Sequence, residues 1–151
     1  MSVSTKVPGS PVKQFSVFLP TRLGALMRLV KLLNQSHVEV LGLSVLDSTD
    51  ATVVRLLVTD HEVVEQVFYE RGIPFSLCTV VVVELPDGPA GLGACLNALL
   101  EAEISVIFSY PLLSRPETGS ALALRLEDST FGIEVLNRAG FKVFYQEDLS
   151  R

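Results

Sequence analysis

One short segment of this 151-residue chain has the residue types to hold a small zwitterion: Asp87, Gly88, Pro89, Ala90, Gly91 and Leu92. A carboxylate at Asp87 can take an ammonium group. Gly88, Ala90 and Gly91 let a ligand approach the backbone closely. The segment opens an apolar-striped helix, whose first N–H groups lack intrahelical partners and carry partial positive charge. Such an end suits a carboxylate. A counterpart stands 66 residues earlier, at Thr21, Arg22, Leu23, Gly24, Ala25 and Leu26. It has no acid, but Thr21 can accept a hydrogen bond and Arg22 offers a guanidinium to a carboxylate. A plainer reading stands beside this one. Gly24 and Gly91 also suit a tight strand-to-helix turn, and Asp87 also suits a helix cap.

The remaining reactive residues form no pattern. His37 falls between a helix and a strand, His61 at a helix start, and neither shares a local motif with a Cys, Ser or carboxylate. Cys78 and Cys95 read as buried structural thiols, with a disulfide or metal pair as the minority alternative. There is no phosphate-binding loop, and Gly88, Gly91 and Gly93 lack the dinucleotide spacing. No catalytic residue, metal ligand set or cofactor is therefore expected. The net charge is −5 and the pI about 5.0, with no Lys/Arg run, which argues against a nucleic-acid partner. Phe15, Phe18 and Phe108 are too scattered for an aromatic RNA-binding sheet. No apolar run reaches the roughly 18 residues of a membrane span. The opening "MSVSTKVPGSP" has no apolar h-region and reads as a flexible tail over residues 1–11, which leaves a cytoplasmic protein as the expectation.

The elements that must position these turns occur twice. Leu26, Leu29, Val30 and Leu33 fall at helical spacing, and so do Leu92, Cys95, Leu96 and Leu99. Each helix leads to a strand, a turn and another strand ("DSTDA" and "SRPETGS" being the turns). Asp60 and Asp128 or Ser129 cap second helices that stop at Gly72 and Gly140. Each then enters a last strand. The fold class that follows is α+β: two tandem ferredoxin-like βαββαβ units, each a four-stranded antiparallel sheet with two helices on one face. The units are placed at residues 12–77 and 78–151. Units of about 65 residues are marginal alone. No linker separates "IPFSL" from "CTVVVVEL", so the units pack side by side. The chain is 48% hydrophobic and 19% charged, which fits surfaces covered by each other or by a partner.

A βαββαβ unit with "RLGAL" or "DGPAGL" between its first strand and first helix resembles the ACT domain. Asp87, Pro89, Gly91 and Leu92 follow that family's signature at this turn, with Ala90 where a glycine is common. In the first half Gly24 and Leu26 follow it, while Thr21 replaces the acid and Leu23 the proline. The resemblance covers Val12 to Leu149. It implies a non-catalytic sensor that binds an amino acid or related metabolite at these turns, pairs as a homodimer, and regulates a metabolic enzyme. The competing expectation is a structural or regulatory subunit that assembles with such an enzyme without binding a ligand. If one turn alone binds, the expectation favours the second, which keeps both acid and proline.

Overall fold

The computed structural model of the protein describes residues 9–20, 23–47, 50–113 and 120–150. The first unit runs β1 (Val12–Leu19), α1 (Ala25–Gln35), β2 (Val40–Asp47), β3 (Thr52–Val58), α2 (His61–Arg71) and β4 (Phe75–Leu85). A single 3-10 turn, Gly88–Gly91, leads to α3 (Leu92–Glu101), β5 (Val106–Pro111), β6 (Ser120–Leu126), α4 (Ser129–Arg138), β7 (Val143–Phe144) and α5 (Gln146–Leu149). This is the expected α+β tandem, with a difference in strand count. Among the described residues the sheet has seven strands, ordered β2-β3-β1-β4-β6-β5, with β7 also on β4. β4 belongs to both units. Its first half pairs with β1 (Val12 opposite Val80, Val17 opposite Phe75) and its second with β6 and β7. The expected unit boundary at residues 77 and 78 thus falls inside one unbroken strand. Of the expected tail, Ser10 is fixed: its carbonyl accepts from Gln146 N at 3.0 Å, and its N–H donates to Glu147 Oε1 at 2.8 Å.

The strand alternation of β4 explains its near-continuous apolar run. Phe75 and Leu77 join the helix-covered core of the first unit, with Phe15, Leu33, Leu56 and Phe68. Val81, Val83 and Leu85 join that of the second, with Cys95, Leu99, Leu124 and Leu136. The alternate residues Cys78, Val80 and Val82 enter a third core, on the helix-free side, with Val12, Leu57, Tyr110 and Ala123. In a flat sheet β1 and β5 would stand three strands, or about 14 Å, apart. Instead Tyr110 of β5 donates its hydroxyl to Gln14 Oε1 of β1 at 2.7 Å. The sheet folds over so that the helix-free faces of the two units enclose this core. The fold closes where β2 meets β5: Gly42 bridges Leu112, and Leu113 N donates to Leu41 O at 2.7 Å. A Cβ at Gly42 would sit 3.3 Å from the Tyr110 ring, so glycine permits the close approach.

α1 sits as its stripe dictates, with Leu29 and Leu33 buried; α2 and α4 bury Val64, Phe68 and Leu136 but leave Val63 and Phe131 exposed, and α3 also departs from its stripe. Cys95 and Leu99 of α3 are buried, but Leu92 and Leu96 are 38% and 39% exposed. They flank the buried line on one side, together with exposed Leu100, and no other element covers that flank among the described residues.

Candidate ligand-binding turns

In the second turn, β4 ends at Leu85 and the chain passes Pro86 into exposed Asp87. Gly88 has φ 61°, a left-handed conformation that favours glycine. Pro89 lies in the first turn of the 3-10 segment, where its missing N–H costs nothing. Ala90 is exposed; Gly91 is buried with φ −83°. A Cβ on Gly91 would meet Asp87 Cβ at 3.9 Å and Leu85 Cδ2 at 4.0 Å, which is ordinary contact. Glycine is therefore conformationally required at residue 88, not at 91. The Asp87 side chain makes no capping hydrogen bond, so its carboxylate stays available. Leu92 opens α3, again without a side-chain cap.

In the first turn, Leu23 is fully exposed and Gly24 has φ 82° immediately before α1. Ala25 is buried beneath the turn and Leu26 half-buried against the first core. Thr21 and Arg22 lie outside the described residues. α1 also lacks a side-chain cap. The second helix of each unit differs: Asp60 accepts from Val63 N at 3.2 Å, and Asp128 from Phe131 N at 3.0 Å. The chain thus caps α2 and α4 with its own carboxylates and leaves the N–H groups of α1 and α3 without one.

Asp87 to Leu92 form one continuous turn into α3, and Leu23 to Leu26 are the described part of the other. Among the described residues, no hydrogen bond or ion pair joins one turn to the other. Beside the first turn lies a depression of about 410 Å³, lined in part by Leu19, Pro20, Ala25, Arg28, Lys31 and Arg71. Its three cations escaped the sequence reading. Arg28 and Lys31 fall three apart on α1 and so share a face, a usable signal. Arg71 arrives from the last turn of α2, which no local pattern announces. His37 has φ 60° and ends α1 rather than facing a site, while His61 lies 3.3 Å from Glu65. Cys78 and Cys95 are free thiols, and burial pushes both upward in pKa.

The sequence matches the ACT domain pair family over residues 10–151. Among solved structures, a protein from Bacteroides thetaiotaomicron is similar at TM-score 0.85 and 20% identity, covering 95% of this chain and 98% of that one. The regulatory subunit of aspartate kinase from Thermus thermophilus is similar at TM-score 0.57 and 12% identity, covering 88% and 95%. A structure of aspartokinase alpha and beta subunits is similar at TM-score 0.56 and 16% identity, covering 85% and 91%. No curated protein matches the sequence.

Proposed function

Because this chain belongs to the ACT domain pair family, we propose that it is a non-catalytic regulatory protein whose strand-to-helix turns bind an amino acid or related metabolite. The observation that carries the reading is the uneven capping: α2 and α4 begin on the carboxylates of Asp60 and Asp128, while α1 and α3 begin without a side-chain cap. The uncapped N-terminal end of the segment from Gly88 into α3 would take the ligand carboxylate and Asp87 its ammonium group. Gly88 to Leu92 would line the approach. In the first turn Leu23 to Leu26 present the corresponding backbone, with Thr21 and Arg22 as their polar groups. The aspartate kinase regulatory subunit, similar in fold, lends the regulatory role its support. We place the protein in the cytoplasm, where free thiols such as Cys78 and Cys95 persist, and as a homodimer.

Isothermal titration against the twenty common amino acids tests this. At least one should bind, and Asp87→Ala should weaken that binding about tenfold or more. If none binds at millimolar concentration, the reading fails for ordinary amino acids. A second reading rests on the exposed stripe of Leu92, Leu96 and Leu100. Such a flank suits a subunit that docks on a metabolic enzyme without a ligand of its own. It predicts a constant oligomer with co-purifying enzyme, whereas the sensor predicts a ligand-dependent thermal midpoint.

A further inference from the structure

A row of polar side chains crosses the helix-free face of the first unit. The register sets Ser44 opposite Arg55, Arg55 opposite Ser16, and Ser16 opposite Ser76. Residues directly opposed in adjacent strands share a face. That face is turned toward the second unit, because the Arg55 guanidinium lies 3.6 Å from the ring centroid of Phe108 on β5. Phe108 in turn stands opposite Arg125 of β6, which brings a second guanidinium to the same place. Both positive charges act on the Cys78 thiol.

The two arginines occupy matching positions in the repeat, and neither has a counter-ion among the described residues. Among the described residues the ion pairs are His61–Glu65 and Glu134–Arg138, so no carboxylate pairs with Arg55 or Arg125. Arg125 spends one N–H on the Thr79 carbonyl at 2.9 Å. The Arg55 guanidinium carbon lies over the Phe108 ring, and among the described residues its N–H groups make no hydrogen bond. Ser16 Oγ accepts from Gln14 Nε2 at 3.3 Å, so its hydroxyl proton remains free to donate. An aromatic-seated guanidinium with hydroxyl donors to either side and a second cation nearby is a donor set for two oxygens on one centre. Nothing in this row is acidic, although the whole chain carries a net charge of −5.

We propose that Arg55, flanked by Ser16 and Ser44 and backed by Arg125, forms a site for a small oxyanion, a carboxylate or phosphate group, between the helix-free faces of the two units. It is separate from the turns at Gly24 and Asp87. The test is an amide NMR titration of the full chain at low ionic strength, with inorganic phosphate in one arm and succinate in the other. Sodium chloride at matched ionic strength is the control. The amides of Ser16, Ser44 and Arg55 should shift saturably with at least one probe, and the arm that works identifies the group as phosphate or carboxylate. Arg55→Met, which keeps an apolar stem against Phe108, should weaken binding about tenfold or more. Asp87→Ala should leave it unchanged, so failure here and failure at the turns are told apart. If Arg55→Met does not fold, the Ser16→Ala, Ser44→Ala double variant is read instead and should bind about threefold more weakly or worse. No saturable shift with either probe at about 10 mM, shifts equal to those with sodium chloride, or unaltered affinity in the variant read would each overturn the site.

Discussion

His37 and Glu103 do the work of glycines. They stand 66 residues apart, with φ 60° and 58°, and end α1 and α3 in the left-handed conformation that Gly72 and Gly140 adopt after α2 and α4. At all four ends a returning N–H bonds back into the last turn: Val38 to Leu33, Ile73 to Phe68, Ile104 to Leu99 and Phe141 to Leu136, at 2.9–3.1 Å. A side chain in that conformation costs about 1–2 kcal/mol. Glycine gives back part of this through a freer unfolded chain, about 0.4–1 kcal/mol. His37→Gly and Glu103→Gly should each therefore raise stability by about 0.5–1 kcal/mol in urea unfolding. The glycine stops were legible in the sequence because the residue type announces them. His37 and Glu103 announce nothing, and only their shared offset marks them. Tyr110 gives a residue-scale pH prediction. Burial, with Cys78 nearby, pushes its hydroxyl well above the usual value. An unfolded tyrosine ionises near pH ~10. The native state holds that proton more tightly, so its contribution is intact below pH ~10 and is lost as pH rises beyond it. Tyr110→Phe should flatten that alkaline loss in urea midpoints. At neutral pH it should cost about 1–3 kcal/mol, because Gln14, fully buried, loses the donor to its Oε1.

At the scale of elements, helix capping separates structural from available carboxylates. Asp60 and Asp128 each close a helix start, so Asp60→Ala and Asp128→Ala should each lower stability by about 1 kcal/mol. Asp87 makes no such bond, and Asp87→Ala should change stability by less than about 0.5 kcal/mol. Equal losses at all three positions would return Asp87 to a capping role. Asp60 and Asp128 were readable as caps because each precedes an apolar-striped helix. Asp87 was not separable from them by sequence: only the backbone, at φ −92° and ψ 10°, shows that its side chain is not in a capping arrangement. β4 shows the same limit. "IPFSL" and "CTVVVVEL" both read as strands, and the missing linker was visible. That they are one strand depends on pairing partners, β1 for one half and β6 for the other, which lie far off in sequence.

The whole molecule is bound by what neither unit has alone. Val12 and Leu57 of the first unit pack with Tyr110, Ala121 and Ala123 of the second, around Val80 and Val82 of the strand they share. Periodicity shows that β4 is apolar on both faces; it cannot show that the second face meets another part of the same chain. The consequence is a single cooperative structure. Leu57 is fully buried in this third core, on the side of β3 that faces away from α1 and α2. Leu57→Ala removes about three carbons' worth of packing there and should cost about 2–5 kcal/mol. If the units stood independently, that loss would fall on the first alone. Because the core and β4 are common to both, it should appear equally in hydrogen-exchange protection at Val54 and Leu56 in the first unit and at Leu124 and Leu126 in the second. Urea unfolding of the variant should remain one transition with coincident probes. Loss of protection in β3 with β6 untouched would show instead that the two units are joined by a strand and not by a shared interior.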